Sequence, residues 1–341
     1  MWSIPADVIA AVAADNLLAL LSVIILLVVV SLLLEQSPWR WLLTAQDAET
    51  ARAEAGGRDA AFQSELRHLR FHLERSQCER VAARREGGVD LSVVIPAYNE
   101  RDRIITTILA TIAWCQAYCP SFEIVVTDDG STDETLEICR IFSEYHENFT
   151  TLANPHLGKG AAVRAGMLHA SGRQVLFMDA DGATPVKEIE KLRAKLAEGC
   201  PVAIGSRSRR DDGETVVERR WHRKIIGRIF AAIVQFFGVS GIDDTQCGFK
   251  MFRGEVVKAI FSRQRLNGFA FDVEVLLLAR KLSLQIAEVP IDWSSKQGSK
   301  VNLVSDTLCM LADVLKVKII HRNTSPQFQA DSAEIPDVLD S

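Results

Sequence analysis

The chain is short of the features that mark several common protein classes. Its 341 residues hold seven cysteines, an odd number at irregular spacing with no Cys-x-x-Cys pair. That argues against both a disulfide framework and the usual zinc-site spacing. Cys115 and Cys119, four apart in a helix-like run, read as buried packing, with thiols kept reduced in a cytosolic compartment. Positive charge is not in excess: the formal net charge is −5, so there is no global electrostatic case for a nucleic-acid partner. Gly158-Lys159-Gly160 lacks the Gly-x4-Gly-Lys-Ser/Thr spacing and is not a P-loop.

Charge is missing altogether from 17 to 34, where only Ser22 and Ser31 are polar. Eighteen residues at about 1.5 Å each span ~27 Å, close to the hydrocarbon thickness of a bilayer. No Lys or Arg precedes the run, whereas a cleaved signal peptide needs a basic start and a shorter apolar stretch. Trp39 and Trp41 follow it as an interfacial aromatic belt. Residues 1–41 are therefore expected to be a membrane anchor. Arg40 and Arg52 lie after the span, so the positive-inside bias puts the large C-terminal part in the cytosol. The sequons at Asn148 and Asn323 would then never meet the glycosylation machinery.

What remains has an ordinary globular composition, 48% hydrophobic and 24% charged, with something apolar added. Residues 42–88 are rich in Ala, Glu and Arg, with Leu66, Leu69 and Leu73 at helical spacing. They read as a solvated, charged helical spacer, broken at Gly56 and Gly57 and closed by Gly87 and Gly88. From 89 to 323 buried strands alternate with helical runs. Strands are expected at 91–95 (stopped by Pro96), 122–126, near 151–152, at 175–178 and at 202–204, with a further one at Phe249. Helices are expected at 103–118, 134–145, 186–198 and after Gly158, with Ser131 or Asp133 capping the second. This alternation predicts a mostly parallel α/β sheet with helices on both faces. The acidic tail 324–341 is expected to be disordered.

The centre of the pattern is the stretch 174–185. Four apolar residues, 175–178, form a strand buried on both faces, which then breaks at Asp179-Ala180-Asp181-Gly182. Residues i and i+2 of a strand share a face, so the two carboxylates can converge on one point. Such a pair suits a hard cation, Mg²⁺ or Mn²⁺, that also holds a ligand's phosphates. Asp-x-Asp also occurs in plain turns. The polar clusters at 96–100, 127–133 and 205–207 fall on the same carboxyl rim of the sheet, where ligands of α/β folds bind.

These clusters carry a resemblance. The run 94–100 ending in Pro96-Ala97-Tyr98-Asn99-Glu100, the run 128–133 starting Asp128-Asp129-Gly130, Asp179-Ala180-Asp181 and Gly205-Ser206-Arg207 resemble the family 2 glycosyltransferases of GT-A (Rossmann-like) type. The stretches 179–184, 244–252, 269–274 and 298–300 narrow the likeness to that family's eukaryotic dolichyl-phosphate β-glucosyltransferases. The resemblance covers roughly 91–321 and implies a nucleotide-sugar donor. It implies that Pro96, Tyr98 and Glu100 line a uridine pocket, that Asp128 contacts uracil or ribose with Asp129 beside it, and that Asp179 and Asp181 hold the metal. Lys159 offers a point charge near the diphosphate. The implied reaction is inverting transfer of glucose from UDP-glucose to dolichyl phosphate for N-glycosylation, at the endoplasmic reticulum membrane. A dolichyl- or polyprenyl-phosphate mannosyltransferase is the near alternative. An inactive GT-A module that binds lipid or a partner is the distant one, disfavoured by the intact Asp179 and Asp181.

The acceptor side is read from cations that stay charged. Arg207 is one candidate; Arg223, four residues before Gly227, matches a pair that lipid-phosphate relatives use on the acceptor phosphate, although mannosyltransferase relatives carry Ser at the second position. Residues 219–228 hold five Lys or Arg and no acid, and lead into the apolar run 229–237. Basic residues beside Trp221 and an apolar helix fit an interfacial helix engaging membrane lipid; the plain alternative is a core helix with a solvated start. A second amphipathic candidate spans 303–320. Asp243, Asp244 and Gln246 belong to a sugar pocket or a turn, and Asp272 or Glu274 touches the sugar or braces Arg207. The sequence leaves these open.

Overall fold

The computed structural model describes residues 88–207 and 241–294, with isolated positions between 62 and 73 and between 313 and 322. Two compact units divide the chain, residues 1–69 with 300–312, and residues 70–299 with 313–341. In the first, Phe62, Leu66 and Leu69 occupy helical positions and are buried, so this face of the stretch is packed rather than solvated. Leu73, in the second unit, is likewise helical and buried. The run 17–34, the basic stretch 219–237 with Arg223, and the tail 324–341 lie outside the described residues. Among the described residues no helix is long and apolar enough to cross a membrane.

The second unit is built on a seven-stranded sheet. Its strands are β1 (Leu91–Ala97), β2 (Phe122–Asp128), β3 (Phe149–Ala153), β4 (Gln174–Met178), β5 (Val202–Ser206), β6 (Phe249–Arg253) and β7 (Ile286–Pro290). The spatial order is β3-β2-β1-β4-β6-β5-β7, and only β6 runs against the rest. The helices are α1 (Arg101–Tyr118), α2 (Thr135–Tyr145), α3 (Lys159–His169), α4 (Ile189–Ala197), α5 (Gly254–Phe261) and α6 (Phe271–Lys281). Right-handed crossovers stepping outward from β1 to β3 place α1 and α2 on one face, and the return crossover through α3 to β4 uses the other. Accordingly α1 packs with α2, while α3 packs with α5 and lies over β1 and β2. The mostly parallel α/β sheet expected from the sequence is present.

Central strands show why apolar runs were legible. Every residue of β1 is buried, as are the last four of β4, because helices cover both faces. Phe177 of β4 stacks with Phe252 of β6 and packs at a tilt against Phe271 of α6, with ring centroids 6.3 and 5.8 Å apart. Pro96 departs from expectation: it lies inside β1, opposite Thr127, and does not stop the strand. The reason is local. Pairing of β1 with β4 ends at Val94, so beyond that point the amide that proline lacks has no β4 partner to lose. The helix expected at 186–198 begins as a short 3₁₀ turn, Val186–Glu188, before α4.

Because six strands point one way, β1, β2, β4 and β5 end on one rim. The single reversed strand delivers its amino end there too, bringing Gly248 beside the end of β4.

Candidate active site

Asp179 and Asp181 sit where β4 leaves the sheet. The break is made by Gly182, whose φ of +65° is one that side chains rarely tolerate. Thr107 of α1 donates its hydroxyl to the Ala180 carbonyl at 2.8 Å, and the Ala183 amide donates to Asp181 Oδ1 at 2.9 Å. The turn is therefore held both from the facing helix and from within. Across the strand, the Asp179 amide donates to the Gly248 carbonyl at 3.1 Å. Gly248 lies so close under Asp179 that any β-carbon there would meet its carboxylate.

Lys159, the first residue of α3, places its ammonium 2.6 Å from Asp179 Oδ1. Its helix is pinned at the start: the Gly160 amide donates to the Asn267 carbonyl at 2.6 Å, and a β-carbon at Gly160 would strike Leu266 and Phe271. Burial alone would push the ammonium's pKa down. Asp179, Asp272 and Asp181 outweigh that and hold it above the ordinary lysine value, so Lys159 is a cation at neutral pH.

Arg207, just beyond β5, forms a two-pronged pair with Asp244. Its Nε donates to Oδ2 at 2.7 Å and its Nη2 to Oδ1 at 2.8 Å, while its backbone amide adds a third bond at 2.9 Å. Trp293 lies 5.6 Å beneath the guanidinium. Burial works against both charges, but the pairing prevails, holding the arginine above its ordinary pKa and Asp244 below the usual carboxylate range. Asp244 is itself fixed by Glu288 of β7, whose carboxylate accepts the amides of Asp243 and Asp244. So Asp244, not Asp272 or Glu274, braces Arg207. Asp272 pairs in the core with Lys250, and Glu274 accepts the amides of Arg265 and Leu266 and meets His321 Nε2 at 2.6 Å.

The third station is at the end of β2. Asp128 is fully buried; its Oδ2 accepts the Ser131 amide at 2.9 Å, and its Oδ1 has no hydrogen-bond partner among the described residues. Asp129 is spent differently. Its two oxygens accept the amides of Leu157 and Gly158 and meet His156 Nδ1 at 2.9 Å, so it braces the loop before α3. Tyr98 stacks on that same His156 with centroids 4.2 Å apart. Glu100 gives its carboxylate to Arg103, the two bonds both 2.7 Å long. Pro96 lies inside β1.

Several residues that set this geometry escaped sequence reasoning. Asn99, at φ +53°, accepts the amides of Thr132 and Asp133 and so stitches the loops after β1 and β2 together. Neither residue expected to cap α2 does so: the cap position is Glu134 without a side-chain bond, Asp133 accepts the Thr135 amide at 3.0 Å from just outside the helix, and Ser131 accepts from Asn99. Thr107, Gly248 and Glu288 act across long sequence separations and carry no local signal.

Among the described residues there is no cluster of three or more His, Cys, Asp or Glu side chains able to hold a metal on its own. The chemistry of the pair at the end of β4 nevertheless fits a hard divalent cation. Asp179 and Asp181 offer oxygen donors only, the Asp179 side chain is 40% exposed, and diphosphate oxygens and water would complete the shell.

Comparison with known proteins agrees with this architecture. A family model described as glycosyl transferase family 2 matches residues 92–261. The dolichyl-phosphate β-glucosyltransferase of Saccharomyces cerevisiae is 38% identical over 249 residues, covering 68% of this chain and 75% of the relative. The human protein of the same description is 34% identical, over 67% of this chain and 75% of its own. Among solved structures, glucosyl-3-phosphoglycerate synthase from Mycobacterium tuberculosis, in complex with Mn²⁺, UDP and glucosyl-3-phosphoglycerate, superposes with a TM-score of 0.51 at 19% identity, covering 75% of this chain and 84% of the other. Mannosyl-3-phosphoglycerate synthase from Rubrobacter xylanophilus gives 0.52 at 17%, covering 72% and 79%. At these identities the structures speak for the fold alone.

Proposed function

The chain belongs to glycosyl transferase family 2, among the dolichyl-phosphate β-glucosyltransferases, and from that premise we propose that it transfers glucose from UDP-glucose to dolichyl phosphate. The products are dolichyl β-D-glucosyl phosphate and UDP. One observation carries this reading: three stations stand along one rim in the order of the strands, Asp128 at the end of β2, Asp179 and Asp181 just after β4, and Arg207 just after β5. Four inter-strand steps of about 4.8 Å separate the outer two, room for a nucleoside, a diphosphate and a sugar in a row.

Each station has a physical task. Leaving a buried acceptor without a donor costs about 1–3 kcal/mol, and the N–H of a uracil or a ribose hydroxyl supplies the bond that Asp128 Oδ1 lacks. Asp179 and Asp181 would hold Mg²⁺ or Mn²⁺ against the diphosphate; when bound, such an ion neutralises charge on the departing UDP. Lys159 adds a positive charge at the same point. Arg207 spends two of its five N–H donors on Asp244, leaving its other edge for the acceptor phosphate. With a second pKa of about 6, that phosphate is already largely dianionic at neutral pH and needs no general base to attack. Direct attack on an α-linked donor inverts the anomeric carbon.

The membrane-facing parts complete the proposal. The uncharged run 17–34 followed by Trp39, Trp41 and Arg40 supports a single N-terminal anchor in the endoplasmic reticulum membrane with the catalytic domain in the cytosol. Arg223 and the basic stretch 219–228 would meet the anionic acceptor at the lipid surface. Protease added to sealed microsomes should then remove the large domain, and its protection would overturn this topology. The reaction itself is tested by offering purified protein, dolichyl phosphate and Mg²⁺ a panel of donors. UDP-glucose should be used well above GDP-mannose and other UDP-sugars; preference for a mannosyl donor would reassign the chain.

A further inference from the structure

The ammonium of Lys159 occupies one of the two carboxylates assigned to the divalent cation, 2.6 Å from Asp179 Oδ1. The contact is built into the fold from both sides. On the lysine side, Gly158 precedes α3 at φ +110° with its amide bound to both oxygens of Asp129, and the Asn267 carbonyl accepts the amides of Gly160 and Ala161. A side chain at Gly158 would run into that same carbonyl, so the entry to α3 is wedged against the 266–268 backbone. On the aspartate side, Gly248 closes off the space beneath the carboxylate. The ammonium also stands over the Phe271 ring, 6.0 Å from its centroid. Neither partner reaches the other by chance of a long, free side chain.

One carboxylate oxygen cannot serve an ammonium and a divalent ion at full strength, because the two cations would face each other across it. In the donor-free rim, then, a metal ion must compete with a cation that belongs to the protein. Once a nucleoside diphosphate arrives, the balance changes: the diphosphate brings oxygens that take both the metal and the ammonium, and Asp179 no longer has to satisfy Lys159.

We propose that Lys159 is an exchangeable counter-ion of Asp179, holding the metal carboxylate in the donor-free enzyme and passing to the diphosphate when metal and nucleotide bind together. The device makes free metal bind poorly and couples its affinity to that of the nucleotide; by linkage, metal raises nucleotide affinity by the same factor. It gives Lys159 a role before the chemical step and explains why the first residue of α3 is so firmly seated. The inference rests on the assignment of Asp179 and Asp181 to a metal, and its test separates the two.

The test is a titration of the full-length protein with Mn²⁺, read by loss of the free-ion paramagnetic resonance signal, without and with saturating UDP. Wild type should bind Mn²⁺ weakly alone and on the order of tenfold or more tightly with UDP. Lys159→Met should bind Mn²⁺ on the order of tenfold more tightly than wild type without UDP, and gain less when UDP is added. Lys159→Gln, checked with Lys159→Met for wild-type-like circular dichroism and melting, should behave the same way and guards against a local packing defect in either variant. Unchanged or weaker Mn²⁺ binding by both variants without UDP overturns the exchange. Wild type holding no Mn²⁺ even with UDP would remove the metal assignment itself, and the exchange with it; Asp181→Asn, which should lose Mn²⁺ binding in every condition, identifies the ion seen as the one at the rim.

Discussion

The carbonyl of Gly248 accepts the amide of Asp179 at 3.1 Å, and its α-carbon lies flush beneath that residue's carboxylate. The one strand running against the sheet thus begins from a floor beneath the residue on which the proposed chemistry turns. A methyl group has nowhere to go there. Pairing of β6 with β4 is anchored just behind, at Phe249 opposite Met178 and Lys250 opposite Phe177, so the carboxylate is the part that must yield. Gly248→Ala should keep the fold, lowering stability by about 1–3 kcal/mol. It should cut the transfer rate by more than tenfold, and a near-normal rate would show that this close approach is dispensable.

Lys250 and Asp272 form an ion pair within the core, Lys250 with no exposed surface and Phe177 5.3 Å from its ammonium. Burial pushes the Asp272 carboxyl above the usual carboxylate range in spite of Lys250 and Lys159. Removing one partner strands the other's charge, so Asp272→Asn should destabilise by about 3–5 kcal/mol in urea unfolding. The double change Lys250→Met with Asp272→Leu should recover most of that loss. A double variant as unstable as the two single losses added together would mean that the pair is not coupled.

Asp244 fixes the orientation of Arg207 by a two-pronged contact. Asp244→Ala should free the guanidinium to swing, raising the KM for dolichyl phosphate on the order of tenfold while that for UDP-glucose moves little. Steady-state kinetics with each substrate varied in turn distinguishes this from a general loss, in which both constants would change together.

Burial, helped by Asp244 and opposed by Arg207 and Lys250, pushes the Cys247 thiol up to about 12. It therefore stays protonated at pH 8, and iodoacetamide should leave Cys247 unmodified in the native protein while labelling it in denaturant, as read by peptide mass mapping. The linked stability runs the same way. A thiol whose folded pKa is raised contributes nothing unfavourable below the unfolded value of 9.0, and stability falls as pH rises from there towards 12.

Much of this architecture was written in local pattern. Apolar runs such as 91–95 and 175–178 mark strands covered on both faces, and the polar clusters that follow them fall on one rim because the strands are parallel. Direction was not legible at β6: five residues, Phe249–Arg253, say nothing of which way the strand runs. Pro96 looked like a terminator because its local rule ignores where the neighbouring strand stops. Pairings among charged side chains were the least legible part. Which acid meets Arg207 depends on a loop 37 residues away, and Asp129, adjacent to Asp128 in the motif, braces the 157–158 backbone. Such choices are settled by packing between distant segments, which no local spacing encodes.

The most direct measurement is transfer of labelled glucose from UDP-glucose to dolichyl phosphate by the purified full chain and by Asp181→Asn. The substitution keeps size and shape and removes one negative charge from the turn after β4. Wild-type transfer should vanish with EDTA and return with Mn²⁺ or Mg²⁺, and Asp181→Asn should lose on the order of a thousandfold in rate while melting like wild type. Asp102→Asn, at a helix-start carboxylate whose side chain is 93% exposed, should transfer normally and serves as control. Near-normal transfer by Asp181→Asn together with indifference to chelation would contradict the metal-assisted account of this rim.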